Sequence, residues 1–307
     1  MQLGIFAKTF ARTNFEDTFA AAQSLGLDCV QFNFSCAGLP TLPESIDAGL
    51  LLRIRSELER HSLSMAAISE TCNLIHPDPA RRGNDLARLE LLLHACRELG
   101  TSVVTLCTGT RDPIDMWRAH PENHSTGAWR DLVKALEQLL PVAQQLNIAL
   151  GIEPEPSNVI DSAPRARDLL NQLKSPHLKI IFDAANLVRA KTLDVQDKIL
   201  SEAVDLLGLD IVVAHAKDLT RDPLAAHVAA GRGSLDYNLY LSLLRQARFE
   251  GPLILHNLRE DEAPEAVRFL RACLKIPARA SEPGFGVPPS GGFRAGPPEG
   301  GTPNQIL

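Results

Sequence analysis

The chain has 307 residues, a formal net charge of −6 and 45% hydrophobic residues. Its mean hydropathy is −0.04 and its pI is near 5.9. That length fits one large domain or two ordinary ones, and the acidic balance argues against a nucleic-acid surface, which needs a basic stripe.

No uncharged apolar run nears the roughly 18 residues that would span a bilayer. The N-terminus carries acidic residues early and has no long apolar stretch, so no signal peptide is expected and the expected compartment is cytoplasmic. Short β-like runs then alternate with longer helical stretches, as in βα units around a parallel sheet. In chain order the expected strands are LGIFAKTF (3–10), CVQFNFS (29–35), SMAAISET (64–71), SVVTLCTG (102–109), IALGIEPE (148–155), LKIIFDA (178–184), DIVVAHAKD (210–218) and PLILHNL (252–258). Amphipathic stretches such as FEDTFAAAQSLGL and DLARLELLLHACRELG lie between them. Gly26, Gly100, Asn147 and Gly208 stand where helices should stop.

Eight such units, roughly 34 residues each, predict a (β/α)₈ TIM barrel, a parallel eight-stranded barrel with outer helices. It is expected over residues 1–276. From Pro277 to Leu307 the chain is dominated by Pro and Gly. Such a segment has too little apolar surface to offset its ordering entropy, and a disordered tail is expected there. The six cysteines show no CxxC pairing, and in this setting they are expected to be reduced and buried.

Four strand ends carry metal-type side chains: Glu153, Asp183, His215 and His256. A barrel of parallel strands brings every C-terminal strand end to one mouth, so these four are expected to converge on one divalent cation. Side chains alternate faces along a strand, so Gly151 and Glu153 share a face, as do Ile181 and Asp183, Val213 and His215, and Ile254 and His256. Glu153 suits a ligand that also acts as general base; a structural ion pair is its alternative. Asp183 offers a hard oxygen. His256 offers a fourth ligand or a second acid/base, with a buried structural role as the alternative. Two imidazoles and two carboxylates favour Mn, Co, Zn or Fe(II) over Mg.

Around these four, Asn186 is a candidate for a substrate hydroxyl or for a helix N-cap. Lys217 and Asp218 are candidates for substrate contact or for orienting ligands. Glu70, with Asn73 and His76 beyond it, follows the third strand and is a further candidate for substrate contact. Arg111 follows the fourth and suits an anionic group, or a salt bridge to Asp112 or Asp115.

At these residues the chain resembles the xylose-isomerase-like TIM-barrel superfamily of sugar (phosphate) isomerases and epimerases. The features that carry the resemblance are the Glu153 segment, FDAAN, HAKD and GRGSLDY (Gly231 to Tyr237). The resemblance implies that Glu153, Asp183 and His215 hold a divalent metal and that Glu153 moves a proton between sugar carbons. The family's second Glu, at the end of strand eight, is replaced here by His256, with Glu260 further into the loop.

The expected function is therefore a metal-dependent isomerase or epimerase of a small sugar, sugar phosphate or polyol, with Glu153 and His256 as catalytic groups. A dehydratase or lyase on an inosose-like polyol and a non-catalytic sugar-binding barrel are the alternatives. The expected partner is a small carbohydrate, without nucleic acid or membrane, and a homo-oligomer is compatible with this reading.

Overall fold

Eight strands run parallel and close into a ring in the computed structural model, which describes residues 1–12, 14–222 and 227–275. They are β1 (Leu3–Phe6), β2 (Cys29–Phe32), β3 (Ser64–Ser69), β4 (Val103–Cys107), β5 (Ala149–Glu153), β6 (Leu178–Asp183), β7 (Ile211–Asp218) and β9 (Leu253–Leu255). β9 pairs with both β7 and β1, which closes the barrel. The expected barrel fold is thus present. The expected tail over 277–307 and the domain boundary at 276 lie outside the described residues.

Each of these eight barrel strands falls within an expected run, but each is shorter. The first yields to a 3-10 turn at Ala7–Thr9, and the last stops at Leu255, one residue before His256. Apolar content marks the runs, whereas the ladder ends where the chain must turn outward over the rim. β8 (Val228–Ala229) was not anticipated: it lies antiparallel on the end of β7, with Lys217 opposite Ala229 and Asp218 opposite Val228.

The outer helices are α1 (Phe15–Ser24), α2 (Ala48–Arg60), α3 (Pro79–Leu99), α4 (Thr126–Leu146), α5 (Ala163–Leu173), α7 (Gln196–Leu207), α8 (Tyr237–Gln246) and α9 (Ala263–Leu274); α6 (Ala184–Leu187) is a single turn after β6. Side-chain caps start several of them: Asn14 accepts from Asp17 N, Asp78 from Ala80 N, and Ser125 from Ala128 N. Gly100 (φ 74°) and Asn147 (φ 55°) end α3 and α4 in the left-handed conformation that stops a helix. Gly208 differs from expectation. Its φ is −52°, and the chain continues into a further 3-10 turn, Gly208–Asp210. A side chain there would press on Ala247, which lies 2.9 Å from the position a Cβ would take.

Below the mouth, Cys29, Ala67, Ile181, Val213 and Ile254 form a buried cluster of their own inside the barrel. The branched residues come from β6, β7 and β9, and they fill the space that glycines on β1 and β5 leave open. A Cβ on Gly4 would fall 2.5 Å from Cys29 Sγ, and one on Gly151 would fall 2.4 Å from Ile181 Cδ1. This packed layer is the floor on which the candidate site stands. No helix among the described residues is long and apolar enough to cross a membrane.

Candidate metal centre at the barrel mouth

Strand alternation carries the interior layer up to the mouth. Two residues beyond Ile181, Val213 and Ile254 stand Asp183, His215 and His256, and one ligand-type atom from each lies within 4.8 Å of the others. Asp183 and His215 are also direct neighbours in the β6–β7 register. Glu153 is not one of these three, but it adjoins them: its Oε1 is 3.2 Å from His215 Nδ1 and accepts a hydrogen bond from Asn186 Nδ2 at 2.8 Å.

His215 is the hub. Its Nε2 is 2.9 Å from Gln31 Oε1, while its Nδ1 faces Glu153 and lies 3.6 Å from Asp183 Oδ2. Since Gln31 Oε1 can only accept, Nε2 carries the hydrogen and Nδ1 is the nitrogen turned to the acids. The His215 and His256 rings stack, 4.5 Å apart and 3° from parallel, and Phe6 stacks on the other side of His256 at 5.0 Å.

Asp183 Oδ1 accepts from Ala185 N and Asn186 N, which starts the short turn of α6. Its Oδ2 faces the Lys217 ammonium at 3.1 Å without the alignment of a hydrogen bond, and so has no hydrogen-bond partner; neither has His256 Nδ1. Buried polar atoms are rarely left so unless something else completes them.

Charge follows geometry. Burial alone would raise the Asp183 pKa, but Lys217 and His215 outweigh it and hold the carboxyl below the usual range. Burial likewise opposes a charge on His215, yet Glu153 and Asp183 overcome it and lift its pKa to about 9. His256 moves the other way: burial, reinforced by the charges of His215 and Lys217, pushes it well below the ordinary value. Burial and then the Glu153 charge raise Glu155 to about 8.

Other expected site residues divide sharply. Glu70 lines a cavity of about 200 Å³ at the mouth, shared with Glu153, Glu155, Gln31, Trp117 and His256. Arg111 is turned away from it. Its guanidinium bonds Ile75 O (2.9 Å) and Asp131 (2.7 Å), so the expected anion contact is corrected to a structural ion pair, and with a partner other than Asp112 or Asp115. Asp218 is also spent on structure: its two oxygens accept from the backbone N–H groups of Leu219, Gly231, Gly233 and Leu235. That clamp explains GRGSLDY, because a Cβ on Gly233 would fall 2.2 Å from Asp218 Oδ1. Asn186 orients Glu153, and Lys217 neutralises Asp183; neither lines the mouth cavity. Asn73 and His76 bond backbone groups, and half-buried Glu260 pairs with Arg12. All six cysteines are free and buried.

Three supporting residues were missed in the sequence. Gln31 shares a face with Cys29 in a buried strand, and an amide in that position was the available signal. The Tyr240 hydroxyl bridges the carbonyls of Phe182 (3.2 Å) and His215 (2.9 Å), and Tyr237 donates to Lys217 O at 3.0 Å. Both tyrosines thereby tie α8 to the strand ends that carry the site; they follow the GRGSLDY turn, but nothing in their spacing marks the contact.

Solved structures similar to the chain include apo 3-keto-D-glucoside 4-epimerase (YcjR) of E. coli, with TM-score 0.68, 18% identity, and coverage of 89% of this chain and 100% of that one. D-psicose 3-epimerase of Clostridium cellulolyticum H10, solved with D-tagatose, has TM-score 0.68 at 16% identity, covering 90% and 100%. The IOLI protein, solved with a zinc atom, has TM-score 0.68 at 16% identity, covering 89% and 96%. At such identities the likeness establishes the fold alone. No curated protein gives a significant match. The family described as Xylose isomerase-like TIM barrel matches residues 19–273, and the chain belongs to that family.

Proposed function

We propose that the protein is a metal-dependent isomerase or epimerase of a small sugar or related polyol, acting by proton transfer at a carbon next to a carbonyl. The observation that carries this reading is the convergence of Asp183, His215 and His256 within 4.8 Å, with Glu153 beside them at the cavity wall. The donor set fits a divalent ion: His256 Nδ1 lacks a hydrogen-bond partner, Asp183 Oδ2 is met by the Lys217 ammonium at 3.1 Å without an aligned hydrogen bond, and His256 is held neutral, the form in which imidazole binds a cation. Asp183, His215, His256 and Glu153 would hold it, and two imidazoles with two carboxylates favour Mn, Co, Zn or Fe(II) over Mg. When bound, the ion polarises the substrate carbonyl and acidifies the adjoining C–H.

Glu153 takes that proton. Asn186 holds its Oε1, which fixes the carboxylate's orientation toward the cavity and leaves Oε2 for the transfer; the His215 Nδ1 contact to the same oxygen belongs to the metal-free form. Lys217 balances the Asp183 charge, so the site can carry several acids close together. His256, sandwiched between Phe6 and His215 and a weak base there, serves as ligand rather than as second proton carrier, so Glu153 itself returns the proton, to the adjoining carbon in an isomerisation. Similar structures that are sugar epimerases, and one solved with zinc, support the reading.

The test is metal analysis followed by solvent exchange. Full-length protein loaded with Mn²⁺ is incubated in D₂O with a panel of ketoses, and deuterium uptake at carbon is read by mass spectrometry. Uptake by wild type that Glu153→Gln lowers by ~10²-fold or more is expected. A chain that takes up no divalent ion refutes the proposal.

A further inference from the structure

Glu70 stands one residue beyond β3, is 1% exposed, and has no strong hydrogen-bond donor at either carboxyl oxygen; the neighbouring Cys72 thiol offers it a weak one. Several neighbouring buried polar side chains are paired. Asn73 bonds Ile75 N, Thr110 N and Thr110 O; Thr108 bonds Asn158 and Ile160 N; Thr110 bonds Asn123. Glu70 instead lines the mouth cavity, on a strand that lies four positions from β7 in either direction around the ring, across the barrel from His215. Burying a carboxyl without strong partners is expensive, and here it pushes the group up to about 8. The Glu70 side chain thus sits at a cost to the empty fold that a ligand would remove by supplying the missing bonds.

We propose that Glu70 is a specificity-determining residue of the mouth, binding a substrate hydroxyl at the end remote from the Asp183–His215–His256 cluster. The inference rests on the functional reading above. It also narrows the substrate. Glu70, Glu153 and Glu155 make the cavity wall acidic, and Lys8 is the one basic Lys or Arg lining it among the described residues. Burial leaves Glu70 and Glu155 largely protonated at neutral pH, so this end presents neutral donors and acceptors, which suit an uncharged, hydroxyl-bearing group. The cavity, about 200 Å³, adjoins a larger one of about 490 Å³ that shares Phe6, Lys8 and His256, so this end has room for one small polyol unit.

Stability and binding should move in opposite directions when this residue is changed. Full-length wild type, Glu70→Leu and Glu70→Gln are compared by thermal melting without ligand, then titrated with D-tagatose and D-fructose 6-phosphate, following the fluorescence of Trp117 in the cavity wall. Glu70→Leu should melt higher than wild type, because a poorly paired buried carboxyl is gone, yet bind D-tagatose roughly 10- to 100-fold more weakly. Glu70→Gln, which still donates and accepts, should stay within about threefold of wild type. Unchanged D-tagatose binding in Glu70→Leu, a lower melting temperature for that variant, or tighter binding of the phosphate than of the free sugar would each overturn the inference. Mn²⁺ uptake, measured alongside, separates this from the functional reading. A wild type that loads Mn²⁺ and binds neither sugar overturns this inference alone. One that binds D-tagatose through Glu70 but takes up no Mn²⁺ sinks only the functional reading, and one that does neither sinks both.

Discussion

A cation at His215 must displace a proton. Its Nδ1 is turned toward Glu153 and Asp183, whose charges raise its pKa to about 9, above the unperturbed 6.5. The same nitrogen binds a metal only when deprotonated. Between pH 6.5 and 9 the apparent affinity should therefore rise about tenfold per pH unit; at pH 7 roughly one metal-free molecule in 100 has the neutral ring, an apparent loss of about 100-fold. Calorimetric titration with Mn²⁺ from pH 6.5 to 8.5, in buffers of different ionisation enthalpy, should show that slope and the release of about one proton per ion. The metal-free chain gives the complementary sign. A histidine whose folded pKa is raised contributes stability that is fully present below 6.5 and is lost as pH rises through about 9, so urea denaturation should show the metal-free protein weaker at pH 9 than at pH 6.5. An affinity flat over this range, with no proton released, would refute the placement of the ion at Nδ1.

Two further outcomes follow from particular contacts. Gln31→Leu removes the one acceptor that His215 Nε2 has among the described residues; it should weaken Mn²⁺ binding about 10- to 100-fold while circular dichroism stays that of wild type. Gly151→Ala places a methyl 2.4 Å from Ile181 Cδ1 in the packed barrel floor; it should cost about 1–3 kcal/mol by urea denaturation, and adding Ile181→Val should restore part of that loss.

Much of the barrel could be read along the chain, because apolar runs and helix stops are local signals. The eight strands, the stops at Gly100 and Asn147, and the period-two placement of Asp183, His215 and His256 depend on residues close together in sequence. Strand ends were misjudged because apolar character outlasts the ladder at the rim, as at Ala7 and His256. The assignments of Arg111 and Asp218 went astray for a different reason. Whether a charged side chain at a strand end faces the mouth or the surrounding loops depends on partners far away: Asp131 on α4 for Arg111, and the returning loop at Gly231–Leu235 for Asp218.

What the sequence determined by itself was therefore the parallel barrel and the set of side chains able to meet at its mouth, since alternation and repeat length act through neighbouring residues. Only the tertiary structure decided which of them are free to act. Gln31 against His215, Tyr240 across two strands, and the poorly paired carboxyl of Glu70 are set by pairings between segments 25 to 184 residues apart, and no local pattern encodes which polar group a distant one will satisfy.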